Sequence, residues 1–456
     1  MTEDLYGLPI TTDNPDTVQA IDDFIHGFLA YETKSTGILE AADADPDCAL
    51  ANAYAAMLWM FLEHPSAPSR AAPYLDRARA ADPGTPREAA VVAAVGHWVA
   101  GDVPALLTAC EAIVADHPRD MAMLKLAQYH LFNKGDSAAM LRLALGCLPQ
   151  AGDIAYVHGM VAFGYEQCHL LDKAEEAARA AMRLRHDEPW AHHALAHVML
   201  TQGRVAEGAR FLEGVADTWT PLNSFMRSHN WWHLCLFYLS QGRHDDVRRA
   251  YDSHIWGLAK DYSQDQVGAV SLLARMEFAG VDVGDRWADV ADHVAARGCD
   301  TVSPFLTLQY LYALGRTERA EAVDLMAAIE EKAADEKAHD QAAWAEVALP
   351  AAKGIMAYTR GDWPAAIRHL GHALPRMAEC GGSHAQRDLF EQIHLDALVR
   401  DGRASAAQQV LEMRRTYDPD GVPLNLLLGE VYETSGLPDL AAQARARAER
   451  TLSTRG

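Results

Sequence analysis

Apolar residues recur three and four positions apart along most of the chain, as in AYAAMLWMFL (53–62) and WWHLCLFYL (231–239). That period gathers them on one face of a helix, and alternating β-branched runs, the mark of strands, are almost absent. Two kinds of punctuation interrupt the helical stretches. Glycine followed by a polar residue occurs at Gly101-Asp102, Gly135-Asp136, Gly203-Arg204, Gly242-Arg243, Gly315-Arg316, Gly361-Asp362 and Gly402-Arg403. Gly101 to Gly135 is 34 residues and Gly135 to Gly203 is 68, twice that, with a glycine-free turn at Leu171-Asp172 fitting between them. Later intervals widen to 39, 73, 46 and 41. Out of phase with these lie Asp45-Pro46, Asp82-Pro83, His117-Pro118, Glu188-Pro189, Thr220-Pro221 and Asp418-Pro419. Proline cannot continue the helix before it but fits the opening of the next.

One glycine-marked and one proline-marked turn in each stretch of about 34 residues describes a helix–turn–helix repeat. AEEAARAAMRLRHDEPWAHHALAHVMLTQGR (174–204) reads as a tetratricopeptide unit in its own right. The predicted fold is therefore all-α: a right-handed solenoid of tetratricopeptide-like helix pairs. Extra material at 204–230, 255–310 and 375–390 departs from the period and would close the solenoid on itself or cap its groove. No Pro/Ser-rich linker divides the chain, so a single domain over 1–456 is expected, loosely split into N-terminal repeats (1–245) and C-terminal repeats (246–456).

Charge and composition narrow the function classes. Lys plus Arg number 40 against 63 Asp plus Glu, a formal net charge of −23. Such a surface repels phosphate backbones, and without a concentrated basic patch it argues against nucleic acid as a partner. No stretch approaches the roughly 18 apolar residues of a membrane span, and MTEDLYGLPI is too acidic for a secretory signal. Seven scattered cysteines (48, 110, 147, 168, 235, 299 and 380) suit a reducing compartment, hence a cytoplasmic setting, better than a disulfide framework or a Cys-based zinc site.

The polar residues that fall on the inner surface carry the functional signal. In a tetratricopeptide unit the first helix of each pair lines the concave side through positions 2, 5, 9, 12 and 13, while positions 4, 7, 8 and 11 pack the core. With Gly203 at position 15, His193 takes 5 and His197 takes 9, one helical turn apart. With Asp172 at 16, His158 takes 2, Tyr165 takes 9 and His169 takes 13. Gly242 at 15 places His229 at 2, Trp232 at 5 and His233 at 6, and Gly135 at 15 places Lys125 at 5 and Tyr129 at 9. Trp231 reads as core, Trp232 as a pocket wall, and Asn230 as a residue that orients an imidazole or helps cap a helix starting near Ser228.

The pairs His193/His197 and His229/His233 have the i,i+4 spacing that lets one helix face hold a metal ion, with Glu166 as a further ligand or a partner that orients one. Three readings stand side by side: a divalent metal site, a metal-free pocket using imidazole as donor, acceptor or general base, and histidines without chemistry, since such pairs also arise by chance among 21 histidines. In GGSHAQRDLFEQ (381–392), Ser383 and Gln386 have capping-box spacing, which leaves His384, Arg387 and Asp388 for an ion pair or a carboxylate ligand. His26, Tyr31 and Glu32 read as a solvated helix face. No GxGxxG, GxxxxGK[ST], GxSxG or HExxH motif is present, and Cys168 beside His169 points away from it on a helix.

DDFIHGFLAYE (22–32), DIAYVHGMVAFGYEQ (153–167), AHHALAHVML (191–200), HNWWHLCLFYL (229–239) and GGSHAQRDLFEQ (381–392) together resemble the tetratricopeptide repeat protein 38 family, the StaR-like tetratricopeptide repeat proteins. The resemblance runs along nearly the whole chain and implies the helical-repeat fold and a cytosolic setting. It implies no established activity, so no catalytic residue is carried over. The leading expectation is a His-rich concave pocket for a small polar molecule or a divalent metal. In it His158, His193 and His233 would be catalytic if there is hydrolysis or other acid–base work. His193, His197, His229 and His233 would be the metal ligands, and Tyr129, Tyr165, Glu166, Asn230, Trp232, His384, Arg387 and Asp388 would contact substrate. Whether the chain is an enzyme stays open. The rival expectation is an interaction scaffold that binds a peptide in its groove, and a third is a homodimer formed through apolar end repeats.

Overall fold

A computed structural model describes residues 2–453, and these are almost entirely helical. Eleven helix pairs follow one another, from Ala49–Met60 with Ala67–Ala80 to Val422–Thr434 with Pro438–Ser453. Ahead of them lie a short hairpin (Thr2–Glu3 with Pro9–Ile10), the helix Pro15–Ala30, a 3-10 turn at Thr33–Gly37 and the helix Ile38–Ala44. The chain is thus an all-α helical-repeat protein of tetratricopeptide-like pairs. It divides into two compact units, one of residues 2–194 with 218–226, the other of residues 195–217 with 227–453; the division falls inside the helix Pro189–Thr201. No described helix is long and apolar enough to cross a membrane.

One backbone device ends the first helix of each pair. At Gly101 the chain enters the left-handed region (φ 77°), the Gly101 amide donates to the Trp98 carbonyl at 2.9 Å, and the Asp102 amide donates to the His97 carbonyl at 2.8 Å. This closure satisfies carbonyls that a helix end otherwise leaves bare, and it turns the chain at once into the second helix. Where Asp follows the glycine, its carboxylate caps that second helix, as Asp102, Asp136 and Asp362 do. The glycine–aspartate doublets of the sequence are therefore a stop signal joined to a start signal.

Three of these closures carry no glycine: Glu63 (φ 51°) follows the helix Ala49–Met60, and at the other two the reading from sequence slips. His169 (φ 56°) closes its helix, its amide donating to Glu166 and the Leu170 amide to Tyr165, two residues ahead of the expected turn at Leu171. Glu318 (φ 55°) does the same three residues beyond Gly315, which lies inside its helix. With the true closures, the spacing from Gly101 through Gly135 and His169 to Gly203 is a regular 34 residues. The closures at Gly242, Gly280, Glu318, Gly361 and Gly402 follow at wider, uneven steps, and Gly436 returns to 34 residues.

The corrected register moves side chains between faces. His158 belongs at position 4 of its repeat, a packing position, and its Nε2 bonds to the Gly152 carbonyl at 2.9 Å. Three other position-4 residues make the same reach to a carbonyl six residues back: Asn52 to Pro46, His192 to His186 and Asn425 to Pro419. A polar side chain here ties down the loop between repeats, whose carbonyls have no helical partner. Tyr156 and Phe163 take the inner positions that His158 and Tyr165 were expected to hold.

Because a non-glycine residue in the left-handed region costs about 1 kcal/mol or more, His169→Gly is expected to raise the urea-unfolding midpoint. Gly203→Ala is expected to lower it, since its added Cβ also meets the Tyr417 carbonyl at 2.8 Å. A lower midpoint for His169→Gly would mean that the imidazole contributes more than the backbone strain costs.

Candidate functional site

In the second unit, four imidazoles from three helices form a continuous chain. His229 and His233 project from one side of the helix Ser224–Ser240, four residues apart, with ring centroids at 4.8 Å. One ring nitrogen of each lies within 4.8 Å of the other's. His197, from the helix Pro189–Thr201, has its ring centroid 4.5 Å from that of His233. His384, the first residue of the helix His384–Arg400, completes the chain: its Nε2 is 3.4 Å from His197 Nδ1. His197 and His233 are fully buried and His229 nearly so, whereas His384 is partly exposed. Burial, with a smaller contribution from His197, pulls the His229 pKa down to about 3, so its ring is neutral and keeps a lone pair at physiological pH.

Trp232 and Arg275 hold the surroundings. Trp232 is buried, lies parallel to the His229 ring at 5.5 Å and meets His233 edge-on at 4.8 Å. The Arg275 guanidinium sits 5.2 Å from the Trp232 ring centroid and donates to the Ala385 carbonyl at 2.7 Å and the Gln386 carbonyl at 3.3 Å. It therefore links the helix Ser263–Phe278 to the first turn of the helix that carries His384. That turn is fixed again by the expected capping box: Gln386 accepts from the Ser383 amide and the Ser383 hydroxyl accepts from the Gln386 amide. Asp388 lies one turn further along, bonded to Arg414 at 2.5 Å and 3.8 Å from Arg275. Burial alone would raise the Asp388 pKa, but Arg414 and Arg275 outweigh it and hold the carboxyl at about 2. Burial likewise draws Arg275 down to about 10, against the opposing pull of Asp388.

The other expected site residues are placed differently. Trp231 and Trp232 exchange roles: Trp232 is the buried one, while Trp231 is half-exposed and stacks on His254 at 3.9 Å. The register set by Gly242 holds, and Trp232 at inner position 5 is buried because His229, His233 and Arg275 pack against it. Asn230 is fully buried within that helix, well past its first turn. Arg387 donates to the Gly382 carbonyl, and it is Arg414 and Arg275 that face Asp388.

The remaining residues lie in the first unit. His193 is buried, stacked on Trp190 at 4.3 Å and close to Phe163 at 5.2 Å. Tyr129 donates to Glu63 at 2.7 Å, and Glu166, fully buried, accepts from Gln167 at 2.6 Å. Tyr165 is half-exposed beneath Lys173. His158 ties its loop as described above. Lys125 donates to the Phe28 and Leu29 carbonyls at 2.6 and 3.1 Å, satisfying the last carbonyls of the helix Pro15–Ala30, and burial lowers its pKa well below the usual lysine value. Arg275 and Arg414 were missed from sequence; the available signal was Arg275 inside the largely apolar run VSLLARM (270–276).

No family model matches the chain. Among solved structures it is similar to the human IFIT1 dimer with PPP-AAAA, at 14% identity and a TM-score of 0.39, over 98% of this chain and 96% of that one. It is also similar to the APC/C hetero-tetramer Cut9–Hcn1 (12% identity, TM-score 0.29, 97% and 87% covered). A third is the P58(IPK) TPR domain (12% identity, TM-score 0.23, 81% and 97% covered). Likenesses of this strength carry no argument about this chain, whose fold rests on its own helix pairs.

Asp388 gives the cluster's supporting layer a measurable signature. Its folded pKa of about 2 lies below the ordinary carboxylate value, so the stability that its ionised form contributes is complete above about pH 4 and is lost as pH falls toward 2. Asp388→Asn is expected to cost about 2 kcal/mol at pH 7 in urea unfolding, with the gap to wild type closing as both are measured nearer pH 2. A gap that is unchanged with pH would assign the loss to packing instead.

Proposed function

We propose that this chain is a helical-repeat binding protein whose second unit holds a divalent transition metal through His197, His229, His233 and His384. The observation that carries this reading is the 3.4 Å separation of His197 Nδ1 and His384 Nε2. It is long for a hydrogen bond between rings. It equals the separation of two ligand nitrogens on a tetrahedral ion bound at about 2.0–2.1 Å, which is about 3.4 Å. His233 and His229 continue the chain at ring distances of 4.5 and 4.8 Å, and the neutral form favoured for His229 is the form that ligates. Nitrogen-only donors of this kind suit zinc, copper, nickel or iron rather than magnesium or calcium. A metal held there would supply Lewis-acid polarisation and a more acidic bound water, for which hydrolysis is the natural reaction class. His384, as the partly exposed member, is where a small polar substrate would gain access.

A second reading, an interaction scaffold that binds a polypeptide, is supported in the first unit, where the chain's own N-terminal segment lies against the starts of successive first helices. On either reading we assign the chain to the tetratricopeptide repeat protein 38 family. We place it in a reducing, cytoplasmic setting, in keeping with its acidic charge and seven free thiols.

The metal reading is tested by elemental mass spectrometry on untagged protein purified without chelator, followed by zinc titration with a thermal-shift readout. About one ion per chain is expected, lost in His197→Ala and His384→Ala, with the apo protein melting lower and recovering on zinc addition. Protein that is metal-free and gains no thermal stability from added zinc, nickel or copper would leave the histidines as packing residues.

A further inference from the structure

The first unit carries a binding surface that its own chain already occupies. The N-terminal hairpin crosses the starts of successive first helices. The Thr11 amide donates to Glu88 at 2.9 Å, Arg87 donates to the Pro9 carbonyl at 3.0 Å, and the Arg119 Nε donates to the Tyr6 carbonyl at 3.0 Å. Arg87 also lies 3.9 Å from the Asp4 carboxylate. The helix Pro15–Ala30 continues along the same unit, with Lys125 on its last carbonyls and Arg185 2.9 Å from His26 and 3.3 Å from Glu32. His26 and Glu32 are thus engaged with a cation and do not form a solvated face. Glu88 and Asp45 accept from Thr11 and Thr12, while the charged groups that face the segment's carboxylates and carbonyls are Arg87, Arg119 and Arg185.

The segment is complementary to them. Residues 2–33 include seven acidic residues and no lysine or arginine, the first cation being Lys34. Held in place by ion pairs to Asp120 and Asp153, Arg87 and Arg119 donate to main-chain carbonyls of the segment, which every polypeptide offers, so the surface reads the path of a backbone and the sign of its charge more than a side-chain sequence. The two parts of the segment differ in how firmly they are seated. The helix Pro15–Ala30 sinks Ile21 and Phe24 fully into the core, whereas the hairpin is anchored chiefly by Ile10 and Leu8, with Glu3, Leu5 and Thr11 exposed or partly so.

Building on the scaffold reading, we infer that the hairpin of residues 2–13 is a ligand held in cis by the Arg87/Arg119 surface, and that an acidic partner polypeptide in an extended conformation takes its place. A tethered occupant of this kind lowers the apparent affinity for a partner by the fraction of time the surface is free. The device keeps a backbone-reading surface closed to weak or wrongly charged segments.

The test uses the full-length chain and a fluorescent synthetic peptide of residues 2–14 as probe, read by anisotropy. In Ile10→Ala, which loosens the cis hairpin, the probe is expected to bind about tenfold tighter than to wild type. Adding Arg119→Ala is expected to remove that gain, and a charge-reversed peptide with lysine in place of each acidic residue is expected to bind no better to the variant than to wild type. The inference is overturned if Ile10→Ala, with unchanged helical circular dichroism, binds the probe no better than wild type, or if Arg119→Ala leaves the gain intact. Should Ile10→Ala fail to fold, hydrogen exchange on wild type decides. The amides of Tyr6, Leu8 and Thr11 are expected to exchange well before those of the helix Met121–Asn133, and exchange of both at one rate would make the hairpin a permanent part of the core. A polypeptide that binds regardless of Arg119 would overturn this inference while leaving the scaffold reading intact.

Discussion

The left-handed closure at the end of each first helix is the constraint on which the rest of the molecule depends. It fixes where the helix stops, satisfies its last carbonyls and sets the direction of the second helix within two residues. Because a helix turns about 100° per residue, the closure also decides which side chains of the first helix face the packed interior and which face the inner surface. Moving the closure by one residue would send a groove residue into the core. The register of polar groups is therefore inherited from a backbone feature that contains no polar chemistry of its own.

That inheritance sorts the histidines into two kinds. His158 and His192 stand at position 4 and spend a ring nitrogen on the carbonyl of a loop six residues back. Asparagine does the same work at residues 52 and 425, which shows that the position asks for a short polar reach and not for an imidazole. His197, His229, His233 and His384 are different: they meet one another, ring to ring, across three helices of the second unit. Two of these helices are neighbours in the repeat order, but the third is brought from far along the chain. Arg275 and the Ser383 capping box hold its first turn in place, so His384 reaches His197 through contacts that the repeat pattern does not supply.

The helical-repeat fold was legible because glycine and proline punctuation is a local signal, tied to φ and to the missing amide. The register was legible only where the left-handed residue is glycine. His169 and Glu318 adopt that conformation with a side chain attached, so nothing in their identity marks the turn, and the groove assignment for the 155–167 helix slipped by two residues with it. The pair His229/His233 was readable from its i,i+4 spacing, whereas the burial of Trp232 in place of Trp231 depended on Arg275, which comes from another helix. Arg275, Asp388 and Arg414 form a unit only in three dimensions, and no spacing rule connects residues 113 and 26 positions apart.

The charges near the histidines make physical sense once the closing contact is considered. Protonation of His229 is disfavoured by burial and, to a smaller extent, by His197. A helix beginning at His384 carries a partial positive charge at its start, and Arg275 adds a full one against the carbonyls of that first turn. Asp388 answers this by staying ionised between Arg275 and Arg414, so that the positive charge is balanced one turn away from the rings rather than at them. A carboxylate placed directly against an imidazole would have favoured the imidazolium. Asp388 is spent on Arg414 and Arg275 instead, and burial leaves the His229 ring neutral with a lone pair to donate.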